Sequence, residues 1–286
     1  MNDTYRAILA LALPTLTIGT FAYSGEGEDH IAFEVNDSLI FRFDKGNDRA
    51  ALAREVRVLH AVKTLLTVPT PNPTYVGLAE GFIGYPKLPG TPLLAVADTF
   101  DLRHWPDFAR QLGGVLRAVN DAPAAPLADV LEEDVAGSEG VLSEARESFA
   151  AVRQHIPRYH RGAIEAFLDT VPEEAQFTPV FAHNDLGIEH ILIDVATRQV
   201  TGIIDWGDAA LADPAYDFGK LYRDLGAAVL DALLDEYQAG DMRNAIRRRA
   251  VFYARCGVLE ELAFGIETGR DEYSAKSLTA LPWLFS

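Results

Sequence analysis

Residues 180–208 read VFAHNDLGIEHILIDVATRQVTGIIDWGD, and this stretch decides the fold. Its short apolar runs are rich in β-branched residues, which predicts a strand, a polar loop, a second strand, a turn and a third strand ending in a carboxylate. The strands would hold the loop rigidly and gather polar side chains at its rim. These side chains are His183, Asp185, His190, Asp205 and Asp208.

The N-terminal part of the chain has the pattern of a β-hairpin. Apolar residues alternate with polar or small ones over residues 31–35 and again over residues 39–43. The dipeptide Asn36-Asp37 separates the two runs, which predicts a two-residue turn.

Two segments precede this hairpin. Residues 8–22 are largely apolar, but Pro14 and several threonines interrupt them and they are shorter than the roughly 20 residues that a membrane span requires. We therefore expect a short helix followed by the first strand. Residues 24–29 then contain Ser24, Gly25 and Gly27, which predicts a flexible loop between two strands.

A helix is predicted from a cap at Asn47 or Asp48 to about Leu66. Its apolar stripe would contain Leu52, Val56, Leu59, Val62 and Leu66.

Glu55 falls in the middle of that stripe, where an unpaired buried charge would be costly. Arg42, on the second hairpin strand and on the face opposite the apolar residues, is the candidate partner. A helix that rolls enough to expose Glu55 is the alternative.

The segment GFIGYPKLPG at residues 81–90 predicts a strand that runs into a linker between two lobes. From Phe100 onward the periodicity is mainly helical, apart from a compact β segment between residues 178 and 205. The expected fold is α+β, with a small β-rich lobe of residues 1–88 that includes the hinge and a larger, mostly helical lobe of residues 89–286.

Composition narrows the class of partner. The chain has 286 residues, with 25 Lys plus Arg against 42 Asp plus Glu and a formal charge of −17. This charge would repel nucleic acid and anionic membranes and favours a small cationic partner, although acidity also serves solubility alone. A single cysteine, Cys256, excludes an internal disulfide and suits a reducing compartment, so we expect a cytoplasmic protein and, by default, a monomer.

The polar residues supply the parts that phosphoryl transfer needs: a carboxylate for the acceptor hydroxyl, ligands for magnesium and a cation on the phosphates. Asp185 is the candidate base, His190 and Asp205 are the candidate Mg²⁺ ligands, and Arg42 is the candidate cation, oriented by Glu55. Gly25 and Gly27 would let backbone amides approach the phosphates, although a lone Gly-x-Gly more often marks an ordinary turn.

The pattern HxDxxxxH at residues 183–190, followed by IDWGD at 204–208, resembles the aminoglycoside phosphotransferase family. The resemblance extends to Arg42, to Glu55 and to the linker that contains Pro86, Lys87 and Leu88. It implies a protein-kinase-like fold in which Mg²⁺ and ATP or GTP serve to phosphorylate a hydroxyl of an aminoglycoside. It assigns Asp185 as the base, Asp205 and His190 as metal ligands, and Ser24, Gly25, Gly27, Arg42, Glu55, Pro86, Lys87 and Leu88 to the nucleotide.

Two residues depart from the usual pattern of that family. His190 replaces an asparagine, a replacement shared with the subgroup that resembles aminoglycoside 2″-phosphotransferases. Arg42 replaces a lysine, which keeps the charge but changes its geometry from a point to a fork. The reaction class implied by the resemblance is unchanged by either.

The tripeptide DFG at residues 217–219 matches a metal motif of protein kinases, yet its position differs. In the family that the chain resembles, the metal aspartate corresponds to Asp205, and the later segment from Asp213 to Asp217 supports the loop. No Ala-Pro-Glu segment follows, which disfavours a protein kinase.

The C-terminal region is rich in carboxylates that could bind a polycation through charge-assisted hydrogen bonds. The alternative is a solvated acidic helix face balanced by Arg270 and Lys276. The candidate substrate-binding residues are Asp208, Glu260, Glu261, Glu267 and Asp271.

Three other functions are compatible with parts of the pattern. Kinases of macrolides, choline and homoserine share the nucleotide site, so the acceptor is less certain than the reaction. A two-metal phosphohydrolase could use His183, Asp185, His190, Asp205 and Asp208, but would leave Glu55 and the linker unexplained. A nucleotide-binding regulator would not need both Asp185 and Asp205.

Overall fold

A computed structural model describes residues 2–27, 29–46, 48–99, 101, 105–123, 127, 130–134, 137–172, 176–237 and 240–285. The N-terminal elements are α1 (Asn2–Ala12), β1 (Phe21–Glu26), β2 (His30–Val35), β3 (Leu39–Asp44), α2 (Arg49–Leu65), β4 (Tyr75–Gly77) and β5 (Phe82–Pro86). The short helix before the first strand is thereby confirmed. None of the described helices has the length and apolar character needed to cross a bilayer.

The N-terminal strands form one antiparallel sheet in the order β1-β2-β3-β5-β4. Asn36 and Asp37 have φ values of 54° and 55°, as a two-residue hairpin turn between twisted strands requires. The predicted hairpin is therefore confirmed. One face of the sheet buries Phe33, Phe41 and Phe43 against α1.

Helix α2 packs on the other face of the sheet. Asp48 caps its N-terminus, since the Asp48 side chain accepts hydrogen bonds from the backbone amides two and three residues further along the chain. Asn47, the alternative cap, lies outside the described residues. The buried positions are Leu52, Glu55, Val58, Leu59 and Val62.

The buried stripe of α2 differs in part from the predicted one. Val56 and Leu66 are only half-buried, and Val58 is fully buried instead. Both α2 and β5 contribute to the large hydrophobic core of the C-terminal lobe, so the helix turns toward that lobe.

The C-terminal lobe is mostly helical and contains short strands beside the cleft. Its elements are β6 (Thr91–Pro92), a 3₁₀ helix (Leu93–Thr99), α3 (Pro106–Asn120), β7 (Glu133–Asp134), α4 (Ser138–Val152), α5 (Arg158–Leu168), β8 (Val180–Ala182), a 3₁₀ turn (Ile188–His190), β9 (Ile191–Asp194), β10 (Gln199–Ile203), β11 (Ala210–Ala212), α6 (Ala215–Leu225), α7 (Ala227–Tyr237), a 3₁₀ turn (Gly240–Met242), α8 (Arg243–Thr268) and α9 (Asp271–Leu284). The predicted two-lobed α+β fold is confirmed.

The strands between residues 178 and 205 do not form the single β unit that the sequence predicts. Strand β8 pairs with β11 and belongs to the sheet β7-β11-β8, whereas β9 and β10 pair with each other and with β6. The polar loop therefore crosses from one small sheet to another. Strand β11 has only three residues and no alternating pattern, so the sequence gives little sign of it.

Candidate active site

A cavity of about 1060 Å³ lies between the two lobes. The predicted nucleotide-binding residues that line it are Ser24, Gly25, Gly27, Arg42, Glu55, Lys87 and Leu88. Asp185, His190, Asp205, Asp208, Glu260 and Glu261 line its other wall. The fold thus brings most of the predicted site residues to one cleft.

Arg42 joins the two lobes through one of its two terminal nitrogens, Nη2. Nη1 donates to Glu55 at 2.6 Å, and Nη2 donates to Asp205 at 2.9 Å and lies 3.1 Å from Nδ1 of His30. Glu55 is only 3% exposed, so the helix does not roll to expose it, and the predicted pair is present. We call Arg42, Glu55 and Asp205 the interlobe cluster.

Neighbouring charges keep Arg42 and Asp205 ionised. Although burial opposes ionisation, Asp205 and Glu55 raise the pKa of Arg42. Burial also opposes ionisation of Asp205, but Arg42 and His190 together lower the pKa of its carboxyl. The side chain of Asp205 is 42% exposed, so one edge of this ion pair remains open to the cavity.

The glycine loop, residues 24–27, lines the cavity at the end of β1. Residues 24–26 belong to that strand, so the prediction of a flexible loop over residues 24–29 is wrong for them. The pairing of β1 with β2 shifts register between Tyr23 and Gly25, and a side chain at Gly25 would meet no atom within 4 Å. Lys45 holds the loop by donating to Glu26 at 2.7 Å and to the carbonyl of Gly27 at 3.0 Å. The space beside the backbone at Gly25 is therefore open on the cavity side, and a contact of this backbone with phosphates stays a prediction.

The linker forms the far wall of the cavity. Lys87 donates its backbone amide to Ser38 at 2.8 Å and its ammonium to Glu34 at 2.8 Å. Pro86 pairs with Leu39 in the sheet and does not line the cavity, unlike its two successors. A direct nucleotide contact by Pro86 thus has no support in this geometry.

Asp185 lies on the loop between β8 and the 3₁₀ turn, and α6 holds that loop. The carboxylate of Asp217 accepts backbone hydrogen bonds from His183 at 3.0 Å and from Leu186 at 3.3 Å. This supporting role is the one that the resemblance implies for Asp217. Burial raises the pKa of Asp217 to about 6.

His183, included in the hydrolase alternative, is held by backbone on both sides. Nε2 lies 3.0 Å from the carbonyl of Ile204, and Nδ1 accepts from the amide of Asp185 at 3.3 Å. Burial, reinforced by His190, lowers the pKa of His183 to about 4, so the ring is neutral near pH 7. Within the described residues, no group of three or more His, Cys, Asp or Glu side chains is placed to hold a metal ion.

His190 and Asp205 fit a magnesium ion as a pair of ligands. Nδ1 of His190 lies 2.7 Å from the carbonyl of Asp185, and Nε2 lies 3.8 Å from a carboxylate oxygen of Asp205. Although burial has the opposite effect, Asp185 and Glu189 raise the pKa of His190, so a metal ion would have to displace the proton from Nε2. Asp205 follows β10 with φ of 64°, which turns its carboxylate toward the cleft. Mg²⁺ commonly takes one or two protein ligands and completes its shell with water and phosphate oxygens.

The predicted acidic substrate residues divide into three groups. Asp208 and Glu260 line the cavity, and burial raises the pKa of each carboxyl. Glu261 is 9% exposed and already paired with Arg223 at 2.8 Å.

Glu267 and Asp271 are exposed outside the cavity, near the turn between α8 and α9. The sequence placed these two beside the substrate because helical periodicity does not show where α8 ends relative to the cleft.

A second ion network, missed in the sequence, lies behind the loop. Lys276 contacts Glu189 at 2.6 Å, Glu261 at 2.9 Å and Asp224 at 3.2 Å, while Arg223 pairs with both Asp224 and Glu261. We call these five residues the buried cluster. Its carboxylates come from three separate segments of chain, so no local pattern predicts it.

Lys220 is the other functional candidate that sequence reasoning missed. Its ammonium donates to Oδ1 of Asp185 at 2.6 Å. Although burial of Asp185 has the opposite effect, Lys220 and His190 lower the pKa of this carboxyl. The available signal was the spacing of Asp217, Lys220 and Asp224, which places all three on one face of α6.

Comparisons with known proteins agree with this geometry. Residues 24–252 match the phosphotransferase enzyme family. The viomycin phosphotransferase of Streptomyces vinaceus is 26% identical, over 92% of this chain and 97% of that protein.

Solved structures share the fold over nearly the whole chain. The GDP and kanamycin complex of an aminoglycoside 2″-phosphotransferase is 22% identical, with a TM-score of 0.79 over 98% of this chain and 97% of that one. A type I macrolide 2′-phosphotransferase is 22% identical, with a TM-score of 0.67 over 98% of this chain and 96% of that one. Since the family match covers most of the sequence and includes the loop of Asp185, the chain belongs to the phosphotransferase enzyme family and is a nucleotide-dependent O-phosphotransferase.

Proposed function

We propose that this enzyme transfers the γ-phosphoryl group of ATP or GTP to a hydroxyl of a cationic antibiotic of the aminoglycoside type. The observation that carries the proposal is the convergence of Arg42, Asp205 and Asp185 on one cavity between the lobes. A nucleotide between the glycine loop and the linker would point its phosphates toward Asp205. An acceptor on the opposite side would meet Asp185.

In this reaction the acceptor oxygen forms a bond to the γ-phosphorus while the bond from that phosphorus to the bridging oxygen breaks. Asp185 accepts the hydroxyl proton, and the nucleoside diphosphate leaves. Arg42 holds phosphate oxygens and keeps Asp205 in position. Mg²⁺, when bound by Asp205 and His190, would supply positive charge to the phosphates.

The acceptor wall supports a cationic substrate. Asp208 and Glu260 face the cavity, and burial raises the pKa of both carboxyls, so a cationic ligand would stabilise their charged forms. Phe264 and Tyr273 line the same region and offer apolar surface to a ring system. The neutral lactone ring of a macrolide would offer these carboxylates no charged partner.

Viomycin is a second candidate acceptor, favoured by the relative that matches 92% of this chain. Phosphorylation of viomycin and phosphorylation of an aminoglycoside are the same reaction, so the two candidates differ in the substrate and not in the mechanism.

The test is nucleotide consumption with Mg²⁺ and either ATP or GTP, across aminoglycosides, viomycin and a macrolide, with mass spectrometry of the product. We expect one drug class to gain a single phosphoryl group and Asp185→Ala to lose turnover by about 10³-fold or more. Turnover with the macrolide alone would overturn the aminoglycoside-type acceptor. Absence of any phosphorylated drug, despite tight nucleotide binding, would overturn the antibiotic acceptor and direct the search to other small hydroxylated metabolites.

A further inference from the structure

Helix α6 presents three charged side chains to the loop of Asp185, at spacings of three and four residues. Asp217 accepts from the amides of His183 and Leu186, and Asp224 accepts from the amide of Ile188 at 3.2 Å. Lys220 lies between them on the same helical face. Unlike its two neighbours, it bonds to a catalytic side chain and not to the backbone.

The loop therefore has its backbone support without Lys220. Lys220 is the only lysine or arginine in the described part of the chain that contacts the carboxylate of Asp185. Its ammonium also lies 5.4 Å from the centre of the Tyr216 ring, a position that gives it a second, weaker partner. Both Lys220 and Tyr216 line the cavity.

A purely electrostatic partner of Asp185 would be counterproductive, because an ammonium at 2.6 Å makes a carboxylate a weaker base. A weak base is tolerable in phosphoryl transfer, where the transition state is loose and stabilisation of charge on the phosphoryl oxygens matters more than early proton removal. The effect of Lys220 on the basicity of Asp185 therefore does not explain why a lysine lies here, and Lys220 needs a second role.

The position of the Lys220 ammonium indicates what that role is. An acceptor oxygen hydrogen-bonded to Asp185 lies about 3 Å from its carboxylate, and the transferred phosphorus is one forming bond further on. An ammonium bonded to the same carboxylate then lies within reach of a phosphoryl oxygen after a small rotation. As Asp185 takes the acceptor proton and loses its charge, its attraction for Lys220 weakens.

We propose that Lys220 is a further catalytic residue of this enzyme, whose ammonium moves from Asp185 to an oxygen of the transferred phosphoryl group in the transition state. This inference rests on the proposed phosphoryl transfer but not on the identity of the acceptor. The acceptor hydroxyl proton goes to Asp185, and Lys220 remains protonated throughout.

The test measures binding of a phosphoryl mimic, so it requires no acceptor. The probe is nucleoside diphosphate with Mg²⁺ and tetrafluoroaluminate, which imitates the phosphoryl group in transfer. We compare wild type with Lys220→Met, in the presence and absence of Asp185→Ala. Lys63→Met, a change at an exposed lysine on α2, is the matched control.

We expect Lys220→Met to weaken binding of the fluoroaluminate complex by at least about tenfold in both backgrounds, and binding of the diphosphate alone by less than about threefold. In steady-state assays, kcat should fall by about 10²–10³-fold with little change in the nucleotide KM. Lys63→Met should change neither.

Unchanged affinity for the mimic in the Asp185→Ala background would mean that Lys220 acts only through Asp185 and would overturn the inference. Lys220→Arg, which keeps the charge, should restore part of the binding. Lys220→Gln, which keeps a donor to Asp185 but no charge, should behave as Lys220→Met and serves if that variant does not fold. Failure to phosphorylate any drug leaves this binding result standing and counts only against the proposed acceptor.

Discussion

The interlobe cluster and the buried cluster are both networks of ion pairs beside the same loop, yet they differ in closure. In the buried cluster, side-chain exposure ranges from 1% for Asp224 to 13% for Glu189, and Lys276 contacts three carboxylates. In the interlobe cluster, Asp205 is 42% exposed and faces the cavity. The comparison indicates that a saturated network fixes the scaffold, whereas an incompletely enclosed one is available to ligands.

Replacement of Asp205, the partly exposed member of the interlobe cluster, should have the largest effect on activity. Asp205→Asn removes the charge that holds Arg42 and a candidate metal ligand, so kcat/KM should fall by about 10³-fold. Stability should change by less than about 1 kcal/mol because Asp205 is partly solvated. Steady-state kinetics and urea unfolding measure the two effects, and a loss of activity below about tenfold would break the comparison.

Removal of Lys276, in the buried cluster, should instead have its main effect on stability. Lys276→Met leaves three buried carboxylates with Arg223 alone, so the free energy of unfolding should fall by about 3–5 kcal/mol. Urea unfolding checks this, and the double variant Lys276→Met/Glu261→Gln should recover part of the loss because it also removes one unpaired charge. A single variant as stable as wild type would show that the cluster does not fix the scaffold.

His183 allows a test by pH dependence of the free energy of unfolding, because its ring is buried like the buried cluster but uncharged. Its folded pKa of about 4 lies below the ordinary value of 6.5. The unfolded chain therefore binds this proton more readily between pH 6.5 and 4, so the free energy of unfolding should fall as pH decreases through that range, by about 3 kcal/mol.

His183→Gln keeps a donor for the carbonyl of Ile204 and removes the titration. The variant should unfold with a visibly smaller pH dependence between pH 6.5 and 4 than wild type, as measured by urea titrations at several pH values. Equal slopes for the two proteins would contradict a neutral, buried His183.

The test with the smallest expected effect concerns Glu260, because this residue and its neighbour Glu261 differ in whether they belong to the buried cluster. Both line the cavity, but Glu261 is paired within the buried cluster, whereas Glu260 belongs to neither cluster. Glu260→Gln should raise the KM for a cationic acceptor about fivefold, since a partly exposed ion pair contributes about 1 kcal/mol.

The matched control is Glu267→Gln, which changes an exposed carboxylate outside the cavity and should leave the acceptor KM unaltered. Equal effects of the two substitutions would mean that overall charge, and not the cavity wall, attracts the acceptor.

Local patterns predict much of this protein because their physical cause is local. The hairpin follows from alternation around Asn36-Asp37, and the cap at Asp48 follows from the residue type that can accept from free amides. The Arg42–Glu55 pair was also predictable, since a carboxylate on an apolar helix face requires a cation and the neighbouring strand offers one.

The sequence by itself determined the two-lobed fold, the hairpin and the loop that carries Asp185, but it left the burial of Glu55 open. Tertiary structure alone decided that β8 pairs with β11, that Lys220 contacts Asp185, and that Glu261 pairs with Arg223. The physical reason is that periodicity specifies which face of an element is apolar, but the partners of a buried charge depend on how distant segments meet in space.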